Sequence, residues 1–568
     1  MGAVPARPGS TVAPLLTRVR SGLGGAGGPG SKEALATAAL SALVTSILIA
    51  VLPSGPDTAA HVYQRSFFLQ HGFTLWNNLW YAGRYEFVTY SPLYYPLAAV
   101  AGLGPLAVLS SAMAAFGFTS VVGHRWGQVA RWSSWSFALV WPASIVITGV
   151  LPFALGMGLG LLALAALQRR SYRWFAAGAV LALASSLLAF VLLGIAIVGA
   201  VVAQRSDWRR LAGPALLVLC ALGLELLAWG VFRSGGRYPF RSKDFFDACL
   251  FSLSGAVLAW KIDALRGLRW LFVAYLAVCA IAFVLPSELG ANIARVRLLA
   301  MPIGLLTVSV RRWRPLPICL LALGATVWWN LTSLTGAYAR AAQDPSSNAA
   351  FWEPAVSYLR AHLSPDYRVE VVDTSGHWPA VYFPRAGIPL VRGWFRQDDF
   401  PQNEVLYGPL VSGNYVGWLR SLGARYVVLS DAPPDYSAVR EAALLRSGRS
   451  GLSIVLQTAH TTLYEVPDPE SILSGPGSPH VIRLDAAGMT VGLTEPGTFR
   501  VAVHWSPYWT TSLGCLSPTT DGTMLLRAAR AGTADIDFRF NPARAFASLA
   551  GVGGQCEVGA ASGHRPAA

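Results

Sequence analysis

A succession of apolar segments of membrane length between Ala34 and Thr335 restricts the fold of this chain more than any other feature. A transmembrane helix needs about 20 predominantly apolar residues, and the pattern predicts eleven such helices. They cover residues 34–53, 93–121, 134–150, 152–168, 174–188, 189–203, 211–231, 247–260, 270–286, 290–310 and 315–335. Only 13% of the 568 residues are charged, against about 25% in an average soluble domain. The sequence therefore predicts a polytopic α-helical membrane domain over residues 34–336.

Two regions of this pattern leave alternatives open. Residues 174–203 also fit one long tilted helix, and the segment 93–121 has room for a break near Gly104 and Pro105.

The positive charges lie in short loops on one side of the predicted helices. With the N-terminus inside, the inner loops contain Arg125 and Arg131; Arg169, Arg170 and Arg173; Arg205, Arg209 and Arg210; Lys261, Arg266 and Arg269; and Arg311, Arg312 and Arg314. This alternation follows the positive-inside rule, so the net charge of +15 indicates orientation in a membrane and not nucleic-acid binding. We expect a multi-pass protein of the plasma (inner) membrane. An odd number of spans places the N-terminus in the cytoplasm and the C-terminal region outside.

The remaining chain divides by composition. Residues 1–33 and 557–568 are predicted to be disordered tails, the first of them cytoplasmic. Between the membrane part and the second tail, the pattern predicts an extracytoplasmic α/β subdomain over 337–474 and a β-sandwich-like subdomain over 475–556. Cys515 and Cys556 are the only cysteines of this region, and in an exported region they would be able to form a disulfide. Trp505, Tyr508 and Trp509 are either sandwich core or rings that stack on sugars.

The sequence lacks the usual motifs of soluble enzymes. It contains no GxxxxGK[ST], GxSxG or HExxH pattern, no GxGxxG after a predicted strand, no CxxC, and no Cys/His spacing typical of a metal site. Any chemistry is therefore expected at the outer face of the membrane domain.

The first outer loop, residues 54–91, is long and rich in aromatic residues, and long ordered loops tend to be functional. Asp57 lies just beyond the first predicted helix and His61 follows four residues later, so a helical turn would orient both side chains the same way. A carboxylate in such a cleft can act as a base or bind a metal. Alternatively, Asp57 caps the N-terminus of an amphipathic helix over residues 58–70.

Two further groups of charges interrupt the apolar pattern on the outer side. The first, in the loop Arg233–Asp247, comprises Arg233, Arg237, Arg241 and Lys243. It either binds an anionic lipid or phosphate, for which Arg is well suited, or lies solvated at the headgroups. The second comprises Glu288, Asn292, Arg295 and Arg297. It is either a phosphate clamp or a local pairing of Glu288 with Arg295 or Asn292. Glu225, within the seventh segment, has no assigned partner.

The loop pattern resembles a known family. Pro56-Asp57 with His61, Gly72, Trp76 and Trp80, followed by Tyr90-Ser91-Pro92-Leu93-Tyr94-Tyr95-Pro96, resembles the membrane family labelled 6-pyruvoyl-tetrahydropterin synthase-related, which is similar to the GT-C glycosyltransferases. The resemblance covers about residues 34–340. The stretches Pro389–Asn403 and Trp418–Leu429 also look like the outer domains attached to such membrane cores.

The resemblance implies an enzyme that uses a polyprenyl-phosphate-linked sugar. Asp57 would deprotonate the acceptor hydroxyl and His61 would assist it. Arg295, Arg297, Asn292 and the cations of the loop Arg233–Lys243 would bind the lipid phosphate, and Trp80 and Tyr94 would contact substrate. Many members have paired acids in this loop, whereas here Glu86 is the only other acid. The sequence therefore assigns no metal ligands, and use of a divalent metal stays open.

Two classes of function follow. The first is a membrane glycosyltransferase that transfers a sugar to a cell-envelope glycan or glycolipid. The second is a non-catalytic envelope-assembly scaffold or a protein that binds or transports lipid-linked sugars. A transporter should show repeated halves, and the sequence has no internal repeat of that kind.

Overall fold

The computed structural model describes residues 29–203, 208–233, 236–549 and 556. The predicted tails 1–33 and 557–568 fall almost entirely outside these residues, as do Arg205 and the side chains of Arg209 and Arg210.

Helices occupy each of the eleven predicted apolar segments. In chain order they are α1 (Pro29–Val51), α2 (Thr58–His71), α3 (Tyr94–Ala101), α4 (Leu103–Trp126), α5 (Arg131–Thr148), α6 (Leu151–Gln168), α7 (Tyr172–Ser185), α8 (Leu187–Ala203), α9 (Trp208–Val231), α10 (Ser242–Leu258), α11 (Arg266–Val284), α12 (Ala300–Val310) and α13 (Leu316–Ala342). Of these, α2 belongs to the first outer loop. A 3-10 stretch, Gly290–Leu299, leads into α12.

Seven helical stretches of the described chain are long and apolar enough to cross a membrane: Ser31–Val51, Leu103–Thr148, Leu151–Gln168, Ala212–Val231, Asp263–Val284, Gly290–Val310 and Leu316–Ala342. The stretch Leu103–Thr148 contains both α4 and α5, joined by one 3-10 turn. α8 is apolar but shorter. The chain is therefore a multi-pass membrane protein.

The structure settles the two open alternatives of the membrane part. The segment 174–203 forms two helices and not one, because Ser186 adopts an extended backbone between α7 and α8. The break in the segment 93–121 occurs at Gly102, whose φ of +84° suits a residue without a Cβ. It lies two residues before the predicted position, and Pro105 sits in the first turn of α4, where its missing N–H costs nothing.

Small and hydroxyl-bearing residues bring the membrane helices together. A Cβ at Gly117 on α4 would lie 2.8 Å from the Cβ of Leu161 on α6, so these helices pack at a distance that only glycine allows. Ser41 and Ser111 hydrogen-bond between α1 and α4 at 2.7 Å. Close packing of small residues and hydrogen bonds between helices are the contacts that hold helices together in lipid.

The chain contains two short strands in the first outer loop, β1 (Trp76–Asn77) and β2 (Arg84–Tyr85), and four strands soon after α13: β3 (Arg368–Val371), β4 (Ala424–Ser430), β5 (Ser453–Gln457) and β6 (Thr461–Glu465). These four form a mixed sheet in the order β3-β4-β6-β5, in which β3 and β4 are parallel and the other pairs antiparallel. The helices of this part are α14 (Ala349–His362), α15 (Pro379–Arg385), α16 (Ser412–Ser421) and α17 (Val439–Arg446).

The next eight strands are β7 (Leu473–Ser474), β8 (His480–Asp485), β9 (Gly488–Leu493), β10 (Gly497–Val501), β11 (Trp509–Thr511), β12 (Cys515–Pro518), β13 (Met524–Ala528) and β14 (Gly532–Phe538), and α18 (Pro542–Leu549) follows them. These strands form two antiparallel four-stranded sheets, in the orders β12-β13-β10-β7 and β11-β14-β9-β8. Tyr508 and Trp509 are fully buried in the core of these sheets, which favours their role as core residues. Cys515 and Cys556 form a disulfide bond with their sulfur atoms 2.13 Å apart.

The first outer loop joins the membrane helices to the region after α13. It carries a two-stranded ladder of β1 (Trp76–Asn77) and β2 (Arg84–Tyr85), which lies between α2 and α3. Trp80 Nε1 donates to the carbonyl oxygen of Ala380 at 2.9 Å, and Tyr81 Oη donates to that of Phe395 at 2.6 Å. These two contacts fix the loop on the region after α13.

Candidate functional site

Asp57 and Arg295 form an ion pair at the junction of the membrane helices and the region after α13 (residues 343–549), which is named the outer region after its predicted side of the membrane. Arg295 Nη2 donates to Asp57 Oδ2 at 2.9 Å, and the side chains are 21% and 17% exposed. Asp57 occupies the N-cap position of α2, yet its side chain makes no capping hydrogen bond. The carboxylate is therefore directed toward Arg295. It does not cap the N-terminus of α2 as the alternative interpretation had expected.

Close backbone packing places Asp57. Its N–H donates to the carbonyl oxygen of Thr148 at the end of α5, at 3.1 Å. A Cβ at Gly55 would lie 2.5 Å from the carbonyl oxygen of Ile147, so the turn before α2 can approach α5 only with glycine there. The start of α2 is thus anchored to a membrane helix.

The 3-10 stretch Gly290–Leu299 carries Arg295, Arg297 and Asn292. It is held by Tyr275, whose hydroxyl donates to the carbonyl oxygen of Ile293 at 3.0 Å. At Gly290 the φ is +31°, and a Cβ would overlap the carbonyl oxygen of Tyr238. The loop after α9 therefore packs directly on this stretch.

Arg297 lies 4.0 Å from Asp244, and its Nε is buried with no hydrogen-bond partner among the described residues. Asn330 Nδ2 donates to the carbonyl oxygen of Arg297 at 2.8 Å, which fixes the backbone and leaves the guanidinium group available. A second cation thus lies on the same short stretch as Arg295.

The cations of the loop Arg233–Lys243 do not converge on Asp57. Arg237 donates to Glu404 at 2.5 Å, Lys243 to Asp247 at 3.0 Å, and Arg233 lies over the ring of Trp229 at 5.9 Å. Arg241 lies over Tyr436 at 4.4 Å, on the side of the outer region. Tyr238 belongs to the same loop; burial raises the pKa of its phenol, the charge of Arg295 opposes this rise, and the charge of Asp57 adds to it.

Glu288 pairs with neither Arg295 nor Asn292 among the described contacts. It accepts a hydrogen bond from Trp229 Nε1 at 3.1 Å. Burial, and then the charge of Asp398, raise the pKa of Glu288 to about 7. The local pairing proposed as an alternative to a phosphate clamp is therefore replaced by a contact with α9.

We expect the apparent Tm of the wild type to decrease as the pH is raised from 5 to 8. A carboxyl whose pKa is raised by folding contributes stability below its ordinary pKa of 4.5, and this contribution is lost as pH rises through about 7. Glu288→Gln should flatten this decline, whereas Glu353→Gln, at an exposed position, should not. Thermal denaturation in nanodiscs at both pH values measures it, and identical slopes in the wild type and Glu288→Gln would contradict it.

His61 lies in the core beneath the site. Its Nδ1 is 3.1 Å from the hydroxyl of Tyr95, and the described contacts include no hydrogen bond between His61 and Asp57. Burial, and then the charge of Arg295, lower the pKa of His61 to about 3, so the imidazole is neutral at pH 7. Trp80 and Tyr94 are fully buried. Such burial favours packing roles for these three side chains over direct substrate contact.

The outer region brings a group of residues to Asp57 that the sequence analysis did not identify. His377 Nδ1 lies 2.5 Å from Asp373 Oδ2, and the rings of His377 and Trp394 meet edge to face at 5.1 Å. Trp394 Nε1 donates to the carbonyl oxygen of Pro56 at 3.2 Å, one residue before Asp57. An aspartate–histidine pair is thus coupled through one indole to the segment carrying Asp57.

The charges of these groups act on one another. Burial raises the pKa of Asp57, and Arg295 and then His377 oppose this rise. Burial lowers the pKa of His377, opposed by Asp435 and Asp57. The phenol of Tyr90 also responds to Arg295 and Asp57, and burial keeps its pKa well above the ordinary value. The site therefore combines a carboxylate, a guanidinium group, a neutral imidazole and protonated phenols.

A sequence signal for His377 existed. Asp373 directly follows a buried stretch that ends at Val372, and polar residues at the end of a buried strand often form sites on loops. His377 follows four residues later. In the structure its φ is +60°, an uncommon backbone conformation for a residue other than glycine. Among the described residues, no group of three or more His, Cys, Asp or Glu side chains is placed to hold a metal ion.

No family model matches the chain, and no curated protein matches it. Two solved structures of the arabinofuranosyltransferase AftD from Mycobacteria are similar to it at 17% identity, the second of them a mutant. The TM-scores are 0.43 and 0.44, and the matches cover 84% and 77% of this chain but 41% and 42% of theirs. The chain thus spans about two fifths of the length of these structures. A likeness of this extent assigns neither fold nor activity.

Proposed function

We propose that this protein is a membrane glycosyltransferase of the GT-C type, which transfers a sugar from a polyprenyl-phosphate donor to a cell-envelope glycan or glycolipid. The observation that carries the proposal is the ion pair of Asp57 with Arg295. It places a candidate base and a candidate phosphate ligand side by side, at the boundary between apolar helices and a polar outer region. The resemblance of the first outer loop to GT-C-like membrane proteins supports the same activity.

The proposal includes the orientation. The N-terminus lies in the cytoplasm and the domains 337–474 and 475–556 lie outside, above the membrane domain 34–336. The basic clusters support this, since the described arginines at the junctions of α4 with α5, of α6 with α7 and of α12 with α13 lie at the helix ends opposite the contacts of Asp57 with Thr148 and Arg295.

In the proposed reaction an acceptor hydroxyl attacks the anomeric carbon of the donor sugar. The new bond joins the acceptor oxygen to that carbon, and the bond from the carbon to the phosphate oxygen breaks. The polyprenyl phosphate leaves with the electron pair, and Asp57 takes the proton of the acceptor hydroxyl. Arg295 and Arg297 stabilise the negative charge that develops on the phosphate, as preorganised cations do in low-dielectric sites.

In this proposal the ion pair makes the basicity of Asp57 depend on donor binding. While Arg295 contacts Asp57 it lowers the pKa of the carboxyl and makes it a weaker base. A bound phosphate competes for the same guanidinium group, since Arg recognises phosphate and carboxylate by the same bidentate geometry. Once Arg295 turns to the phosphate, the pKa of Asp57 rises. The base then becomes stronger only when the donor is present.

One observation favours the scaffold alternative. Asp57 already has a cationic partner at 2.9 Å, and an ion pair of two half-buried side chains also joins α2 to the stretch before α12 without any chemistry. A scaffold would need the pair for this contact alone.

The proposal is tested with the full-length protein in nanodiscs, incubated with a panel of radiolabelled polyprenyl-phosphate sugars and envelope acceptors. We expect transfer from at least one lipid-linked donor with release of free polyprenyl phosphate, and no transfer from the matching sugar nucleotides. Transfer from sugar nucleotides would contradict the proposed donor class. No transfer from any donor, together with full rescue of a gene deletion by Asp57→Asn in cells, would favour the scaffold.

A further inference from the structure

A large apolar cavity lies between the membrane helices, away from Asp57. Its volume is about 700 Å³ and its walls come mainly from α4, α6, α8 and α11. Ligand pockets commonly measure about 300–1,000 Å³. Ala189 and Ala203, near the two ends of α8, both line it. At 1.5 Å per helical residue the cavity therefore extends about 21 Å along this helix, a length suited to an extended hydrocarbon chain.

One end of the cavity is basic. Arg125, Arg170 and Arg266 line it, with Asp263 as the one acid. Arg125 and Arg170 are exposed, and none of the three arginines makes an ion pair among the described residues. The Nε of Arg266 is buried and lacks a hydrogen-bond partner within the same part of the chain. Three cations against one carboxylate, at the mouth of an apolar cavity, are complementary to an anionic head group on an apolar chain.

The position of this mouth separates it from the site at Asp57. Trp126 Nε1 donates to the carbonyl oxygen of Ala264 at 2.9 Å, which joins the end of α4 to the start of α11 on the side of the basic loops. The far end of the cavity is lined by Val296 and Leu299, on the 3-10 stretch that carries Arg295 and Arg297. A chain that fills the cavity would pack beneath this stretch.

We infer that the cavity binds an anionic phospholipid from the leaflet on the side of the basic loops. Arg125, Arg170 and Arg266 hold its phosphodiester, since charge-assisted hydrogen bonds to phosphate are among the strongest in proteins. One acyl chain extends along α8 toward Val296. The inference does not depend on the proposed glycosyltransferase activity, because the site and its ligand are separate from the donor.

The test uses the full-length protein, purified in mild detergent and delipidated. The chain is returned to nanodiscs of phosphatidylcholine alone or with added phosphatidylglycerol, and the apparent Tm and the bound phosphatidylglycerol by mass spectrometry are measured. The head-group variant is Arg125→Gln/Arg170→Gln/Arg266→Gln. Its control is Arg131→Gln/Arg173→Gln/Arg312→Gln, which removes the same charge from exposed positions that do not line the cavity.

We expect phosphatidylglycerol to raise the Tm of the wild type and of the control. The head-group variant should lose on the order of tenfold of the bound lipid, because it lacks the charged donors. Gly160→Leu should weaken binding with all arginines intact, since a Cβ there meets only Leu193 Cβ, at 3.9 Å, and a larger side chain fills the cavity. Equal phosphatidylglycerol in the wild type, the head-group variant and Gly160→Leu would overturn the inference. A Tm rise reproduced by inorganic phosphate alone would do the same.

Discussion

Asp57→Asn is expected to lower sugar transfer by about 10²–10⁴-fold, the usual contribution of a positioned general base. Asparagine has nearly the shape of aspartate, and its side-chain oxygen can still accept from Arg295, so α2 and the stretch Gly290–Leu299 should keep their contact. What the variant lacks is the capacity to take the proton of the acceptor hydroxyl. The loss should therefore appear mainly in kcat.

The measurement is the initial rate of transfer in nanodiscs, with apparent Tm as the check on folding. The matched control is Asp468→Asn, the same chemical change in an exposed carboxylate that pairs with Arg420 at 3.3 Å in the outer region. That variant should transfer at the wild-type rate. A rate for Asp57→Asn within a factor of two of the control would remove Asp57 from the mechanism.

Arg295→Gln separates the two roles given to the ion pair. If Arg295 moves to the donor phosphate, Arg295→Gln should both raise KM for the donor and lower kcat. The double variant Asp57→Asn/Arg295→Gln should then be little slower than the slower single variant, since the effects of residues that act as a unit are not additive. If the pair only joins two segments, both single variants should lower Tm and leave the rate of the folded fraction unchanged.

The residues of this pair were identifiable from the sequence because each violates a local pattern. Asp57 is a carboxylate just beyond one apolar helix, and Arg295 lies about one turn into another apolar segment. Such charges are costly in a membrane unless they face a cavity or a partner. Their pairing was not identifiable, since 238 residues separate Asp57 from Arg295 and several other cations lie on the same side. In the structure the partner of Asp57 is Arg295 and not a cation of the loop Arg233–Lys243, because Tyr238 packs on Gly290 and positions the 3-10 stretch that carries Arg295.

The helices were largely predictable for a related reason. A chain in lipid must satisfy its backbone hydrogen bonds within each segment, so apolar segments predict helices, and seven of the described helical stretches are long and apolar enough to cross a membrane. A break between residues 188 and 189 was also predicted, but its exact position at Ser186 was not, because neither glycine nor proline marks it. Trp80 shows the same limit for side chains: its motif suggests a substrate contact, whereas its ring stacks on Tyr63 at 4.2 Å and is buried against the outer region.

The buried charges of the outer region lead to the largest expected effect on stability. Arg392 Nε and Nη2 donate to the two oxygens of Asp399 at 3.1 and 3.0 Å, and Tyr407 donates to the same carboxylate at 2.6 Å. Arg392, Arg396 and Asp399 are almost completely buried. Although burial opposes it, the two arginines hold the pKa of Asp399 below its ordinary value, so the carboxylate is charged at neutral pH.

Asp399→Asn should therefore destabilise the outer region by about 3–5 kcal/mol, because it leaves two buried arginines with one counter-charge fewer. Asp537→Asn, at an exposed ion pair with Arg539, should cost at most about 1 kcal/mol. Urea unfolding followed by pulse proteolysis measures both. The wild type should also lose stability as pH falls below 3.8, the ordinary pKa of Asp399, since a depressed pKa contributes stability only above it.

The double variant Arg392→Met/Asp399→Leu distinguishes an unpaired charge from lost packing. Arg392 also lies beside the buried carboxyls of Glu370 and Glu441, whose pKa burial raises, so both can take up protons when Arg392 is absent. Removing both partners therefore leaves less uncompensated charge and should be less destabilising than Asp399→Asn alone. The network also reaches the site, because Arg396 contacts Asp373 and lies 3.1 Å from His377 Nδ1. Asp399→Asn should thus lower the rate of sugar transfer even where the outer region stays folded. The change would weaken the positioning of His377 and Trp394, and Trp394 in turn holds Pro56 next to Asp57. Full activity in folded Asp399→Asn would show that the network stabilises the outer region without positioning Asp57.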